Sequence, residues 1–192
     1  SGTTEDTLFA VTSDHGEAFA EHGQTGHKAA GLYDETIVVP LILYSPAALP
    51  VRTIDYQVRT IDLAPTILDL CGLDKPAEWY GEGLLPLIAG HEIGHRDALC
   101  YSYPTSSGTR CIRTGDWKYI HYHDRADALF DLRQDPSERW NLIADKARKS
   151  VLTELKARVF DIENGISGAQ EDVSEEDTAM ILEMLRDLGY VD

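Results

Sequence analysis

The sequence predicts a mixed α/β chain: the edge of a parallel sheet domain, followed by a smaller antiparallel α+β unit. Two nearly continuous apolar runs, 7–12 and 37–44, read as short strands covered on both faces of a sheet. From residue 98 the texture changes to short strands separated by tight turns. Amphipathic helices then occupy about 145–163 and 175–188. The expected boundary lies between 97 and 98. Two parallel strands cannot form a doubly covered sheet, so 1–97 reads as the last part of a larger domain whose earlier strands are absent.

Taken in order, the strand at 7–12 runs directly into Ser13-Asp14-His15-Gly16-Glu17, and a loop rich in Gly and His fills 16–31. Pro40 interrupts the second strand, so its ladder begins after that residue or bulges there. Asp62 stands where it would cap a helix reaching Leu70, with Pro65 tolerated in the first turn and Cys71-Gly72 at the end. Residues 72–98 read as loop with a helical piece near 84–89. Strands follow at 98–103 and 110–112, then a Thr114-Gly115-Asp116 turn, a returning strand at 117–121 and another at 128–132 before Asp135-Pro136. Ser174 would cap the last helix and Gly189 would stop it.

The chain has 192 residues, 33 acidic against 17 basic side chains, and a formal net charge of −16. The basic residues divide into 11 Arg and 6 Lys, and the acids are spread from end to end. Such a surface repels phosphate backbones, which argues against nucleic acid as a partner. Diffuse acidity suits solubility at high ionic strength, so a salt-loving prokaryotic source is expected, with an unusually acidic mesophilic protein as the alternative. No stretch approaches eighteen consecutive apolar residues and no basic leader opens the chain, so neither a membrane span nor a signal peptide is expected. Localisation stays open between cytoplasm and export. Cys71, Cys100 and Cys111 each sit among apolar or aromatic neighbours and read as buried thiols in a reducing interior, with a single disulfide as the alternative.

Asp14-His15 is the strongest chemical signal. A carboxylate and an imidazole at a strand end can turn together toward a cleft and hold a divalent cation, although a hydrogen-bonded pair at a strand-to-loop junction has the same spacing. Gly16 would permit the sharp turn, and Glu17 could orient a ligand. His22, His27 and Lys28 could bind an anionic oxygen or protonate a leaving group, or simply form a solvated loop. Ser13 lacks a nucleophile elbow. His91-Glu92-Ile93-Gly94-His95 matches a zincin pattern in letters, but Gly90 and Gly94 argue against the helix that pattern needs. His121 and His123 read as surface strand residues and Trp117 as a core anchor. Arg110 and Arg113 read as a solvated hairpin face, or as an approach to an anionic substrate.

Residues 12–43, TSDHGEAFAEHGQTGHKAAGLYDETIVVPLIL, closely resemble a conserved block of the sulfatase family within the alkaline-phosphatase-like superfamily. IDLAPTILDLCGL, GEGLLPLIAG (Gly83 where Ser is common), RTGDWKYI, LFDLRQDPSERWNL and LRDLGY resemble later blocks in the same order, covering most of 7–190. The resemblance implies the C-terminal part of an alkaline-phosphatase-like sheet domain with a small α+β subdomain. It implies Asp14 and His15 as ligands of a divalent ion, Ca2+ first with Mn2+ or Zn2+ as alternatives. It also implies Lys28, or His27 if the register shifts by one, as the residue that binds the transferred group. Glu17, His22 and Tyr33-Asp34-Glu35 look like loop support. The nucleophile, a formylglycine within Cys/Ser-x-Pro-x-Arg, matches nothing here and is expected in the absent N-terminal part. The implied activity of the intact parent is hydrolysis of a small-molecule or carbohydrate sulfate ester, with this piece inactive alone. Phosphodiester or phosphonate hydrolysis and phosphoethanolamine transfer are the alternatives within the superfamily, and a non-catalytic module is the alternative outside it.

Overall fold

A computed structural model describes residues 7–27, 31–102 and 108–167. The chain separates into two compact units, Ser1–Val159 and Phe160–Asp192. Of the second, the described residues are helical turns at 160–167. The helix expected at 175–188, with Ser174 and Gly189, lies outside the described residues, as does Lys28.

Among its described residues the first unit holds three sheets. Strands β1 (Phe9–Val11) and β4 (Ile42–Tyr44) pair with Phe9 opposite Tyr44 and Val11 opposite Ile42. This pairing is antiparallel, which corrects the parallel edge expected from the sequence. Phe9, Val11, Ile42 and Tyr44 are all exposed in this chain. An apolar run carries no information on strand direction. The second run is also shorter than its apolar letters suggest. Its first residue closes the helical turn α1 (Asp34–Ile37), and the ladder starts only beyond Pro40, which has no N–H to donate.

The Gly/His segment, which the sequence predicts as loop, contains a hairpin. Strands β2 (Ala18–Phe19) and β3 (Thr25–Gly26) pair antiparallel, and positive φ at Ala20, Gly23 and Gly26 turns the chain between and after them.

The third sheet is a meander in the order β5 (Ala98–Tyr101), β6 (Arg110–Arg113), β7 (Trp117–His121), β8 (Ala128–Asp131). Thr114-Gly115-Asp116 makes the β6–β7 turn, with Thr114 N–H donating to the Trp117 carbonyl at 2.8 Å. Cys111, Ile120, Ala128 and Phe130 form the core with Leu32, Tyr122 and Leu132, and Tyr33 and Ile37 pack against it. Burying Ile120 or Phe130 contributes about 1.5–3 kcal/mol each. The polypeptide on either side of α1 is thereby pressed onto the meander. Trp117, expected as a core anchor, is half-buried instead, with the Arg148 guanidinium 5.4 Å above its ring.

Helix α2 (Leu63–Leu70) and the short helix α3 (Leu85–Ile88) follow the expected pattern, but Asp62 does not cap α2 with its side chain. Its fully buried carboxylate accepts from the Arg59 guanidinium at 2.8 Å and from the Arg59 and Glu82 backbone N–H groups at 3.1 and 3.0 Å. Arg96 also lies 3.2 Å from it. The Thr66 hydroxyl donates to the Asp62 carbonyl at 2.6 Å and accepts from Leu84 N–H at 3.0 Å, fixing the segment before α3. Residues 91–95 form no helix, so the His91 and His95 letters do not make a zincin site. Asp145 accepts from Ala147 N–H at 2.9 Å, capping a 3-10 turn that leads into helix α4 (Lys149–Ser167).

Candidate metal and anion site

Beyond Val11 the chain leaves β1 and presents Asp14 and His15 in succession. The His15 N–H donates to Asp14 Oδ1 at 2.9 Å, which holds the Asp14 carboxyl below its ordinary value and keeps it ionised. The His15 ring places Nδ1 2.8 Å from the Gly16 carbonyl oxygen and Nε2 3.8 Å from Asp14 Oδ2. Gly16 is demanded here by close approach. A Cβ at that position would lie 2.1 Å from the Glu35 carbonyl oxygen, and Gly16 N–H donates to the Thr36 carbonyl at 2.9 Å.

The β2–β3 hairpin supplies the other half. Ala18 faces Gly26, so Glu17 and His27 occupy the next position across the ladder. Glu17 Oε2 lies 3.1 Å from His27 Nδ1, and the His27 ring stacks on His15 with centroids 4.2 Å apart. Donor atoms of His15, Glu17 and His27 all fall within 4.8 Å of one another, a cluster able to hold a metal ion. The structure thus brings His15, Glu17 and His27 together in the open, while Asp14 contacts its neighbour His15 and stands outside that cluster. Glu17, which the sequence marks as able to orient a ligand, meets His27 only through the β2–β3 pairing.

A buried charge network fixes this place against the meander. Asp34, at the start of α1, accepts from the Arg113 guanidinium at 2.8 Å and from Lys118 Nζ at 2.8 Å. Glu138, in the turn after β8, accepts from Asp34 N–H at 2.6 Å and lies 2.8 Å from Lys118 Nζ. Burial by itself would raise the Asp34 carboxyl, but Arg113 and Lys118 outweigh it and hold the group below its ordinary value. At Glu138 burial wins over Lys118 and the carboxyl sits above its ordinary value. The Arg113 guanidinium is therefore not simply solvated: it is bonded to Asp34 and Gln57.

His22 crosses between the same parts. Its Nδ1 lies 2.7 Å from Glu35 Oε1, its Nε2 lies 3.2 Å from both the Ser137 and Glu138 carbonyl oxygens, and its ring lies parallel to Tyr33 with centroids 3.7 Å apart. Glu35, Asp34 and Tyr33 act as loop support.

Residues 21–165 match the family model described as N-sulphoglucosamine sulphohydrolase, C-terminal. The chain belongs to the sulfatase family, as its C-terminal region. Among its relatives is the Delta 4,5-hexuronate-2-O-sulfatase of Bacteroides thetaiotaomicron, 32% identical over 166 residues that cover 81% of this chain and 34% of that protein. The fold matches BT1596, a 2-O GAG sulfatase, with a TM-score of 0.76 at 28% identity, over 90% of this chain and 38% of the other. It also matches BT4656, solved in complex with its substrate D-glucosamine-2-N,6-O-disulfate, with a TM-score of 0.74 at 26% identity, over 91% of this chain and 37% of the other. The sulfatase chain thus spans about a third of the length of these relatives. Its mixed α/β architecture, an antiparallel sheet with flanking helices and small strands, is the alkaline-phosphatase-like sulfatase fold of those structures.

Proposed function

We propose that this chain is the metal-binding and anion-binding C-terminal portion of a hydrolase that cleaves sulfate esters, with a sulfated carbohydrate as the substrate class. The observation that carries the reading is the convergence of His15, Glu17 and His27, with Asp14 beside His15. Family membership and the sulfated sugar bound by BT4656 support the substrate class.

The donor set fits a divalent ion. An imidazole nitrogen beside carboxylate oxygens suits manganese or zinc better than calcium, which favours oxygen ligands. Asp14 and His15 would hold the ion, with Glu17 completing the set; when bound, it would polarise the sulfate oxygens as a Lewis acid. Glu17 orients His27 through Nδ1, which leaves Nε2 as the ring atom to hold a proton for the leaving alcohol. Lys28, next in sequence, brings a cation for the transferred group. The nucleophile would come from the remaining part of the parent enzyme, so the chain alone would not turn over.

Calorimetric titration of the chain with manganese, zinc and calcium tests the reading. A single saturable site, lost in Asp14→Asn and in His15→Ala, is expected. Binding that survives both substitutions, or no binding of any of the three ions, sinks it.

A further inference from the structure

We propose that His22 is carried as an imidazolium and serves as a charged latch, a positioning residue that ties the β2–β3 hairpin to the turn after β8. The inference rests on the reading above only in what the hairpin carries: Glu17 and His27 flank its two strands.

The argument is one of donors and acceptors. The atoms facing the ring are the Glu35 carboxylate at Nδ1 and the Ser137 and Glu138 carbonyl oxygens at Nε2. Each of these is an acceptor. A neutral imidazole has one N–H and one lone pair, so either tautomer would point a lone pair at an acceptor oxygen. Only the doubly protonated ring donates at both ends. The groups around it favour that charge. Glu35 comes from α1, and the Tyr33 ring, parallel to His22, offers its electron-rich face to a cation. From the turn after β8, the Glu138 carboxylate is directed to Lys118 and to the Asp34 N–H, while its negative charge still favours the imidazolium. Burial alone would lower the ring's proton affinity; Glu35, followed by Glu138, more than compensates and raises it above the ordinary 6.5. A group held up in this way stabilises the fold fully below pH 6.5 and loses that contribution as pH rises through its elevated folded value. The bonds span 115 and 116 residues of sequence, so they join parts that local structure does not hold together.

The experiment is a long-range 1H–15N correlation spectrum of the labelled, metal-free chain across pH 5.5–9, with His22 assigned from its loss in His22→Gln. At pH 7 both His22 nitrogens should show the protonated signature and titrate above the ordinary histidine range. In Glu35→Gln that titration should move down, because the largest raising contribution comes from the Glu35 carboxylate. Amide resonances of Ala18 and Phe19 should share the His22 midpoint in the wild type and lose that transition in His22→Gln. A neutral His22 at pH 7, or hairpin amides indifferent to its titration, overturns the proposal. Should His22→Gln fail to fold, the wild-type and Glu35→Gln titrations still decide the charge. A wild-type chain that takes none of manganese, zinc and calcium yet shows the charged ring would sink the site reading and keep the latch.

Discussion

Lys118 places its ammonium 2.8 Å from Glu138 Oε1 with both side chains closed off from solvent, and the same ammonium reaches Asp34 Oδ1 at 2.8 Å. One β7 cation thus neutralises two carboxylates from segments on either side of it in sequence. Replacing it by Lys118→Met would strand buried negative charge. A loss of about 3–5 kcal/mol is expected for breaking a buried pair by removing one partner. Urea denaturation measures it; a loss under about 1 kcal/mol would mean the network is not what holds α1 to the meander.

Acid should weaken the fold through two carboxylates. At Asp34 and Asp62, burial would raise the carboxyl, but Arg113 and Lys118 in one case and Arg59 in the other overcome it and depress both below 3.8. Their stabilisation is present above pH 3.8 and is lost as pH falls through the depressed folded values. Thermal midpoints should fall steeply between pH 4 and pH 2, and Asp62→Asn should start lower at pH 6 and fall less. Equal slopes for the two proteins would remove Asp62 from the account.

Two glycines two residues apart should respond differently to a side chain. A Cβ on Gly81 would lie 1.9 Å from the Ile61 carbonyl oxygen, which is backbone and cannot swing away. On Gly83 it would lie 1.7 Å from Asp69 Oδ2, the end of a side chain that can rotate. Gly81→Ala should cost roughly 2–3 kcal/mol and Gly83→Ser under about 1 kcal/mol. Chemical denaturation of the two variants side by side gives the comparison.

The thiols should also divide. Cys71 is exposed, against the buried environment expected from its apolar neighbours, because it sits at the end of α2 rather than inside it. Cys111 is fully buried opposite Cys100 across β5 and β6, and its contact with Cys100, together with burial, pushes its thiol well up. A disulfide reagent should titrate one thiol rapidly in the native chain, and Cys71→Ser should abolish that phase. Rapid reaction in Cys71→Ser would show the meander to be open.

Much of the site was legible in local sequence. Asp14 and His15 follow a strand directly, and the Thr114-Gly115-Asp116 turn sets the β6–β7 register, because strand ends and tight turns are governed by neighbours a few residues away. The ordered blocks from residue 12 onward pointed to the sulfatase family before any coordinate was known. Tertiary structure alone decided that β1 and β4 run antiparallel, that Glu17 lies beside His27, and that Lys118 is buried between Asp34 and Glu138. The reason is physical. Periodicity records which faces meet water. Strand direction and the pairing of charges 84 residues apart depend on how distant segments pack, and a lysine's letters look the same in solvent as in a core.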